Sequence, residues 1–231
     1  MIEIDHVCLG VQNVYDGAQR LRDQTGLGNY EGGWFPTMGL ANRIVPLGDD
    51  TYIEVEGVVD AFQLERKNPT TSWFRDATAA GDVFIGWCAR VSSLGELEAL
   101  AKRLKTDVIE MQIRRRPDGS HPVSRLAPAT FACWKQGLPN FFCIDDLGKH
   151  PSRQPITTPG LQPQGIDWLE LGGSEEEMSD WLGVRASSLN LRFNGKAAGL
   201  HAMSVRTEAG ERLIRLPTVT DVMASSEGMK S

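Results

Sequence analysis

The first 26 residues change from the apolar pattern of a strand to the pattern of a helix. The segment IDHVCLGV at residues 4–11 is a short apolar run with the length of a strand, and it carries His6 in its middle. Asn13 can cap a following helix, with Asp16 three residues on and Gly26 as its end. The pattern predicts a strand followed directly by a helix.

The same strand-then-helix pattern recurs twice. Ser93 and Ser174 can each cap a helix with a glutamate three residues on, and an apolar strand-like run precedes each. The three cap positions, Asn13 included, are 80 and 81 residues apart, and Cys8 aligns with Cys88 at the 80-residue offset. This near-equal spacing predicts an internal repeat.

Further strand patterns follow each helix. In the first unit LANRIVPLG and TYIEVEG flank a turn at 48–50. In the second unit we expect strands in EMQIRRR, ATFACW and NFFCIDD, and in the third in LNLRF, GLHAMSVRT and ERLIRL. Each unit is therefore predicted to contain a strand, a helix and up to three more strands.

The composition narrows the classes of function. The net charge of −6 argues against a nucleic-acid-binding face, and we interpret the arginine run at 114–116 as a solvated hairpin end. No apolar run reaches about 18 residues, so we expect no membrane span. The four cysteines lack CxxC spacing and the N-terminus lacks the basic start of a signal peptide, which predicts reduced thiols and a cytoplasmic protein.

Strand alternation brings titratable side chains onto one face. In TYIEVEG the residues Tyr52, Glu54 and Glu56 share a face, whereas Ile53 and its neighbours supply the opposite face for a helix to cover. An imidazole from His6 and a carboxylate from Glu54 can bind a divalent cation or act as a general base and its partner. The structural alternative is a simple His6–Glu54 hydrogen bond in a polar core.

The segments DHVCLGVQNVYDGAQRL and GLANRIVPLGDDTYIEVEG resemble the glyoxalase/bleomycin-resistance group, also called the vicinal oxygen chelate superfamily, and its uncharacterised glyoxalase-like domain members. The resemblance implies an α+β fold of curled, mixed β-sheets built from βαβββ modules around a ligand cavity. We expect paired modules over 1–147, a linker rich in Pro and Gly over 148–164, a partial third module over 165–216 and a tail over 217–231.

The resemblance also implies ligand positions. His6 and Glu54 match the metal-ligand and catalytic positions of module one, whereas the matching positions of module two, Gly86 or Trp87 and a position near Cys143, do not suit a hard cation. His201 or Asp167 of the third unit is an open alternative for a further ligand. A divalent metal ion is therefore one expectation, and proton transfer without metal is another.

Other residues are candidates for substrate binding. Asn42 matches a polar position of the group and, with Tyr52 and Glu56, is expected to face the ligand; Trp34, in a glycine-flanked aromatic segment, is expected to act as a lid. The function that these features indicate is a small-molecule enzyme of lyase, isomerase or ring-opening type. The alternatives are a binding or sequestering protein for a small-molecule ligand and a homodimer whose interface is the third unit.

Overall fold

The structure is a computed structural model of the 231-residue chain, described here over residues 1–35, 38–60, 62, 69–111, 123–129, 131–156 and 159–222. The arginine run at 114–116 lies outside these residues. Within the described part of the chain, no helix is long and apolar enough to cross a membrane.

The first module has the predicted order of one strand, one helix and three strands. Its elements are β1 (Ile2–Val11), α1 (Val14–Thr25), β2 (Tyr30–Phe35), β3 (Leu40–Gly48) and β4 (Thr51–Val58). The turn between β3 and β4 passes through Asp49 and Asp50, both with positive φ, and closes the predicted hairpin.

The second module repeats this order after a connecting helix, α2 (Pro69–Thr78), that the sequence patterns did not predict. Its elements are β5 (Val83–Val91), α3 (Leu94–Leu104), β6 (Ile109–Met111), β7 (Ser124–Ala127) and β8 (Asn140–Ile144). The strand predicted in ATFACW is wrong, because residues Ala132–Gln136 form a 3-10 helix that ends at Gly137 with φ 72°.

The two modules form one curled, eight-stranded mixed sheet with the strand order β2-β3-β4-β1-β5-β8-β7-β6. In each module the first strand pairs in parallel with the last, β1 with β4 and β5 with β8. The first strands β1 and β5 pair antiparallel, so the modules meet along this central pair. The α+β fold of paired βαβββ modules is thereby confirmed.

The third unit has the same chain order but different strand pairing. It comprises β9 (Pro163–Gly172), α4 (Glu175–Leu182), β10 (Leu191–Phe193), β11 (Gly199–Thr207) and β12 (Arg212–Arg215). These strands form a separate sheet in the order β10-β9-β11-β12. Its first strand pairs in parallel with the strand just after the helix, not with the last one.

The helix caps are where the sequence places them. Asn13 accepts hydrogen bonds from the amides of Tyr15 and Asp16, and Ser93 and Ser174 each accept one from the amide three residues on. These bonds satisfy amides that have no partner inside the helix. The repeat that the caps predicted is confirmed in the order of the elements.

One hydrophobic core joins the two sheets. Ile53 and Val55 of β4 belong to it, as does Leu169 of β9 and Met203 of β11. The indole N–H of Trp181 in α4 also donates to the carbonyl of Pro139, just before β8, at 2.9 Å. Because the apolar face of β4 packs into this core, Tyr52, Glu54 and Glu56 lie on the other face of the large sheet.

Candidate active site

A cavity opens on the face of the eight-stranded sheet that carries the titratable residues of β1 and β4. Its polar wall consists of His6, Cys8, Asn42, Tyr52, Glu54, Glu56, Cys88 and Ser124. Aromatic side chains from both modules and from α2 form much of the remainder: Phe35, Trp73, Phe74, Phe131, Trp134 and Phe142. The structure thus joins five of the six predicted site residues at one cavity and leaves out Trp34.

A bulge in β1 explains how His6 meets a second acid. The pairing of β1 with β5 shifts register between Ile4 and His6, so Asp5 lies within an irregularity of the strand. The Asp5 carboxylate contacts His6 Nδ1 at 2.5 Å, and His6 Nε2 lies 3.5 Å from Glu54 Oε2. The imidazole is therefore held between two buried carboxyl groups.

Asp5 is the centre of a buried polar network. Its side chain is fully buried and contacts His6, His150 Nε2 at 3.0 Å and Arg90 at 3.4 Å. Burial raises the pKa of a carboxyl group, but hydrogen bonds with His150 and His6 outweigh it and lower the pKa of Asp5 to about 2. Asp5 is therefore ionised at neutral pH and fixes the orientation of His6.

The proline that follows His150 is typical of a surface loop, but His150 is buried. Its side chain is fully buried, because the segment after β8 folds back over the cavity and Asp5 partners the imidazole. Its ring packs edge-on against Tyr52, with centroids 5.4 Å apart, while Tyr52 stacks on His6 at 4.5 Å. The linker over 148–164, which joins module two to the third unit, therefore contributes to the site.

The two glutamates of β4 have different surroundings. The Asn42 amide donates to Glu54, and burial raises the pKa of Glu54 while His6 and Asn42 oppose that rise. For Glu56, burial and the neighbouring Glu54 charge raise the pKa well above its usual value. Burial therefore favours the protonated form of both carboxyl groups, while Asn42 and His6 favour the ionised form of Glu54.

Two thiols lie beside the imidazole. Cys88 stands directly opposite His6 in the β1–β5 pair, and both Cys88 and Cys8 line the cavity. Burial raises the pKa of Cys88, but its hydrogen bond with Cys8 and the charge on His6 outweigh this and lower it to about 7. Burial raises the pKa of Cys8 well above its ordinary value, and the hydrogen bond with Cys88 adds to this rise.

The donors of module one fit one class of metal ion. Ligand atoms of His6, Cys8 and Glu54 lie within 4.8 Å of one another, and the Asp5 contact on Nδ1 leaves Nε2 of His6 for the cavity. A nitrogen, a sulfur and an oxygen donor suit a borderline cation such as Zn²⁺, whereas hard cations prefer oxygen alone.

Among its described residues, module two offers no metal-ligating counterpart of His6 or Glu54. A Cβ atom on Gly86 would lie 2.1 Å from Cδ2 of Trp134, so the indole occupies the space where a side chain equivalent to that of His6 would be. In the parallel strand pair of module two, Asn140 lies opposite Cys88. In the parallel strand pair of module one, Glu54 lies opposite Cys8 in the same way. Asn140, not Cys143, is thus the counterpart of Glu54, and its amide donates to the carbonyl of Pro128.

The close packing of Trp134 on Gly86 predicts that a larger residue at position 86 lowers the stability of the fold. We expect Gly86→Ala to lower the free energy of unfolding by about 1–3 kcal/mol, because the new methyl group must displace the indole. The control is Gly95→Ala in α3, where the nearest atom to a new Cβ is 4.0 Å away. Urea denaturation measures both variants, and an unchanged midpoint for Gly86→Ala would contradict the close contact.

Three other sequence candidates lie away from the cavity wall. Trp34 belongs to strand β2 and is 45% exposed, while its neighbours Gly33 and Phe35 line the cavity, so the expected loop-borne lid is wrong. His201 Nε2 contacts the backbone carbonyl of Ala197 at 2.9 Å. Asp167 is paired with an arginine of β11, and neither residue reaches the His6 cluster.

The sequence patterns did not identify Asp5, His150 and Cys88 as members of the site. Asp5 had a signal, since it precedes His6 directly, but regular strand alternation assigns it to the opposite face. His150 is 145 residues from its partner Asp5, and a single sequence carries no sign of such a contact. Trp134 is the last residue of the segment ATFACW, whose strand assignment was wrong.

Comparisons with known proteins agree with this architecture. A family model described as a glyoxalase-like domain matches residues 4–186. A hypothetical protein from Staphylococcus aureus has a similar structure, with a TM-score of 0.65 and 12% identity over 90% of this chain and 92% of that one. No curated protein matches the chain.

Two weaker structural similarities are to methylmalonyl-CoA epimerases. The Mycobacterium tuberculosis enzyme has a TM-score of 0.40 and 14% identity over 62% of this chain and 86% of its own. The Streptomyces coelicolor enzyme in complex with 2-nitronate-propionyl-CoA has a TM-score of 0.43 and 11% identity over 62% and 95%. The match of the family model over most of the chain, together with the paired βαβββ modules, establishes that this protein belongs to the glyoxalase-like domain family of the vicinal oxygen chelate superfamily.

Proposed function

We propose that this protein is an enzyme that transfers protons on a small carbonyl compound bound in the cavity, with Glu54 as the base and Glu56 as the acid. The observation that carries this proposal is the pair of carboxyl groups on one face of β4, with Glu54 buried and Glu56 partly buried, which open into a largely apolar cavity. Asn42 and His6 oppose the rise in the pKa of Glu54, whereas the Glu54 charge adds to the rise in the pKa of Glu56, as expected of a base and an acid that work together.

The roles follow from the contacts. Glu54 takes a proton from the carbon next to the carbonyl group, and Glu56 gives its proton to the carbonyl oxygen, so one C–H bond breaks and one O–H bond forms. Asn42 and His6 hold the Glu54 carboxylate, and Asp5 orients the imidazole. Return of a proton to carbon completes an isomerisation, and loss of a leaving group would complete an elimination.

A divalent cation fits the same site. His6, Cys8 and Glu54 would hold it, and it would supply Lewis-acid polarisation of a substrate oxygen. The proton transfers assigned to the glutamates do not require it. Elemental analysis of protein purified without chelators measures whether a metal is present, and dialysis against a chelator tests whether the reaction depends on it.

Deuterium exchange is the experiment that tests the proposal. The protein is incubated in heavy water with a panel of uncharged ketones and aldehydes, and mass spectrometry follows deuterium uptake at the carbon next to the carbonyl group. We expect uptake well above the rate without protein for at least one compound. If panel members bind but none exchanges faster than without protein, the catalytic role is contradicted.

The second candidate function is a non-catalytic binding protein. The packing of Trp134 on Gly86 favours it, because module two supplies cavity walls and no reactive counterpart to His6. This alternative expects ligand binding without turnover and an affinity that does not change with chelator. Formation of a product from any bound compound would exclude it.

Location and assembly remain predictions. All four cysteines are buried and free, which supports a reducing compartment such as the cytoplasm. The third unit shares its core with the first two modules, so removing it would expose apolar surface as well as test a dimer interface. Light scattering of the intact chain is therefore the better test of a homodimer.

A further inference from the structure

One buried histidine of the site, His150, has no part in the proposed proton transfers. It belongs to the linker over 148–164, and its side chain is fully buried against Asp5, a residue 145 positions away in the chain. The hydroxyl of Tyr30 in β2 donates to the carbonyl of Pro151 at 2.8 Å, and Pro151 lines the cavity. The linker is therefore fixed at the edge of the cavity, and it brings an imidazole to the polar network.

The contacts of this imidazole assign the position of its proton. The backbone amide of Ser152 donates to Nδ1 of His150 at 3.3 Å, and the Ser152 hydroxyl lies 2.7 Å from the same nitrogen. An amide N–H can only donate, so Nδ1 carries a lone pair and the ring proton lies on Nε2. Nε2 lies 3.0 Å from Oδ2 of Asp5. His150 therefore donates a hydrogen bond to the Asp5 carboxylate.

The Asp5 carboxylate is thereby held by one imidazole at each oxygen. Its Oδ1 contacts Nδ1 of His6 at 2.5 Å, while Oδ2 accepts the hydrogen bond from His150. Arg90 also donates to Oδ2, but at 3.4 Å, which is long for a hydrogen bond. The last side-chain torsion of an aspartate has broad minima, so the carboxylate plane turns easily unless both oxygens are held. His150 is therefore the main contact that fixes this plane.

The orientation set at Asp5 reaches the base of the proposed reaction through His6. Nε2 of His6, on the opposite side of the ring from the Asp5 contact, lies 3.5 Å from Oε2 of Glu54. A rotation of the imidazole would change this distance. Tyr52 supports the same orientation, since it stacks on His6 with centroids 4.5 Å apart and packs edge-on against His150 at 5.4 Å.

We propose that His150 is a positioning residue of this active site, which acts through Asp5 to hold His6 and Glu54 in the geometry for proton transfer. The inference rests on the proposed function for the reaction, and it adds a residue from outside the two modules. The paired modules then form a complete site only with the linker docked on them. Loss of a group that orients a ligating histidine typically costs about 10–100-fold in activity, which sets the size of effect to expect here.

NMR of the unaltered protein with isotope-labelled histidines is the first test, because long-range proton–nitrogen correlations report which ring nitrogen carries the proton. We expect His150 to carry its proton on Nε2. We also expect the Nδ1 proton of His6 to resonate far downfield, as in a short hydrogen bond to a carboxylate. His6→Gln and His150→Gln assign the signals. A proton on Nδ1 of His150, or the lack of a downfield signal from His6, would overturn the inference.

Two substitutions at position 150 separate the hydrogen bond from the bulk of the side chain. His150→Leu removes the donor and keeps an apolar contact with Tyr52, whereas His150→Gln places an amide N–H near the position of Nε2. We expect the downfield signal of His6 to shift or broaden in His150→Leu and to persist in His150→Gln. An unchanged signal in His150→Leu, or its loss in both variants, would contradict the positioning role.

Deuterium exchange with the fastest-exchanging compound of the heavy-water panel gives the second readout. We expect His150→Leu to lower the exchange rate at saturation by about 10–100-fold and to change the dissociation constant by less than about threefold, with most of the rate recovered in His150→Gln. Equal losses in the two variants would indicate a merely structural role. The control is His201→Leu in β11, a buried histidine whose Nε2 contacts the carbonyl of Ala197. It should keep both the rate and the signal.

Failure of this inference and failure of the proposed function are distinguishable. If no compound of the panel exchanges, the proposed function is contradicted, and the NMR signals of His6 and His150 still test the positioning role. If His150→Leu exchanges at the full rate, the enzyme function stands and the positioning role is wrong. Thermal melting verifies that each variant folds. The proton assignment of His150 needs no variant, so it tests the inference even where a variant does not fold.

Discussion

Replacing Glu54 with glutamine is expected to slow enzyme-dependent deuterium exchange by about 100-fold or more, since general bases contribute about 10²–10⁴-fold to proton transfer. The amide keeps an oxygen for the hydrogen bond from Asn42 and has almost the same volume, so the cavity wall should persist. What it loses is the basic carboxylate oxygen that takes the proton. Mass spectrometry on the fastest-exchanging compound measures the ratio of rates.

The control for this substitution is Glu31→Gln. Glu31 is an exposed residue of β2 and does not line the cavity, so the exchange rate should stay within about twofold of that of the unaltered protein. Binding of the same compound, measured by NMR, should persist in Glu54→Gln. A variant that binds the compound and exchanges it at the full rate would remove Glu54 from the mechanism.

The largest stability effect is expected at Asp5. Its substitution by alanine leaves His6, His150 and Arg90 without the carboxylate that joins them, in a region that water does not reach. Removing one partner of a buried ionic network costs about 3–5 kcal/mol, so urea denaturation of Asp5→Ala should show a loss of that size.

The pH dependence of stability should change with the same substitution. The pKa of Asp5 is lowered from 3.8 to about 2 by folding, which corresponds to about 2 kcal/mol. This stabilisation is fully present above about pH 4 and is lost as the pH falls through the folded value near 2. Asp5→Ala should therefore lose less stability than the unaltered protein between pH 4 and 2.

Asp76→Ala is the matched control for this experiment. Asp76 is exposed in α2, and its pairing with the adjacent Arg75 lies at the surface, where such pairs contribute about 0–1 kcal/mol. Its unfolding curve and acid profile should follow those of the unaltered protein. Equal losses in the two variants would mean that Asp5 contributes no more than an ordinary surface aspartate.

Regular patterns in the sequence predicted the parts of the site that regular structure positions. Alternation along β4 predicted that Tyr52, Glu54 and Glu56 share a face, and the repeated helix caps predicted the repeated modules. Alternation depends on unbroken pairing, however, and it fails at the bulge that brings Asp5 to His6. The pattern therefore identified the reacting side chains without the network that holds them.

The remaining errors have physical causes of the same kind. Residues 129–134 have a composition typical of a strand, but Ala132–Gln136 form a 3-10 helix in which Trp134 packs on Gly86. The glycines before Trp34 suggested a loop, whereas β2 pairs with β3 and its alternation turns Trp34 to solvent. His150 depends on a contact with Asp5 that no local pattern encodes.

The indole of Trp134 on Gly86 makes module two chemically different from module one, although the two modules share one topology. A duplicated module that no longer needs reactive groups is free to vary in shape, since substitutions there change the contours of the cavity and leave the acids of the first copy undisturbed. Divergence of ligand preference among relatives with this asymmetry should therefore accumulate in the second copy, and an engineer seeking new ligands would begin there.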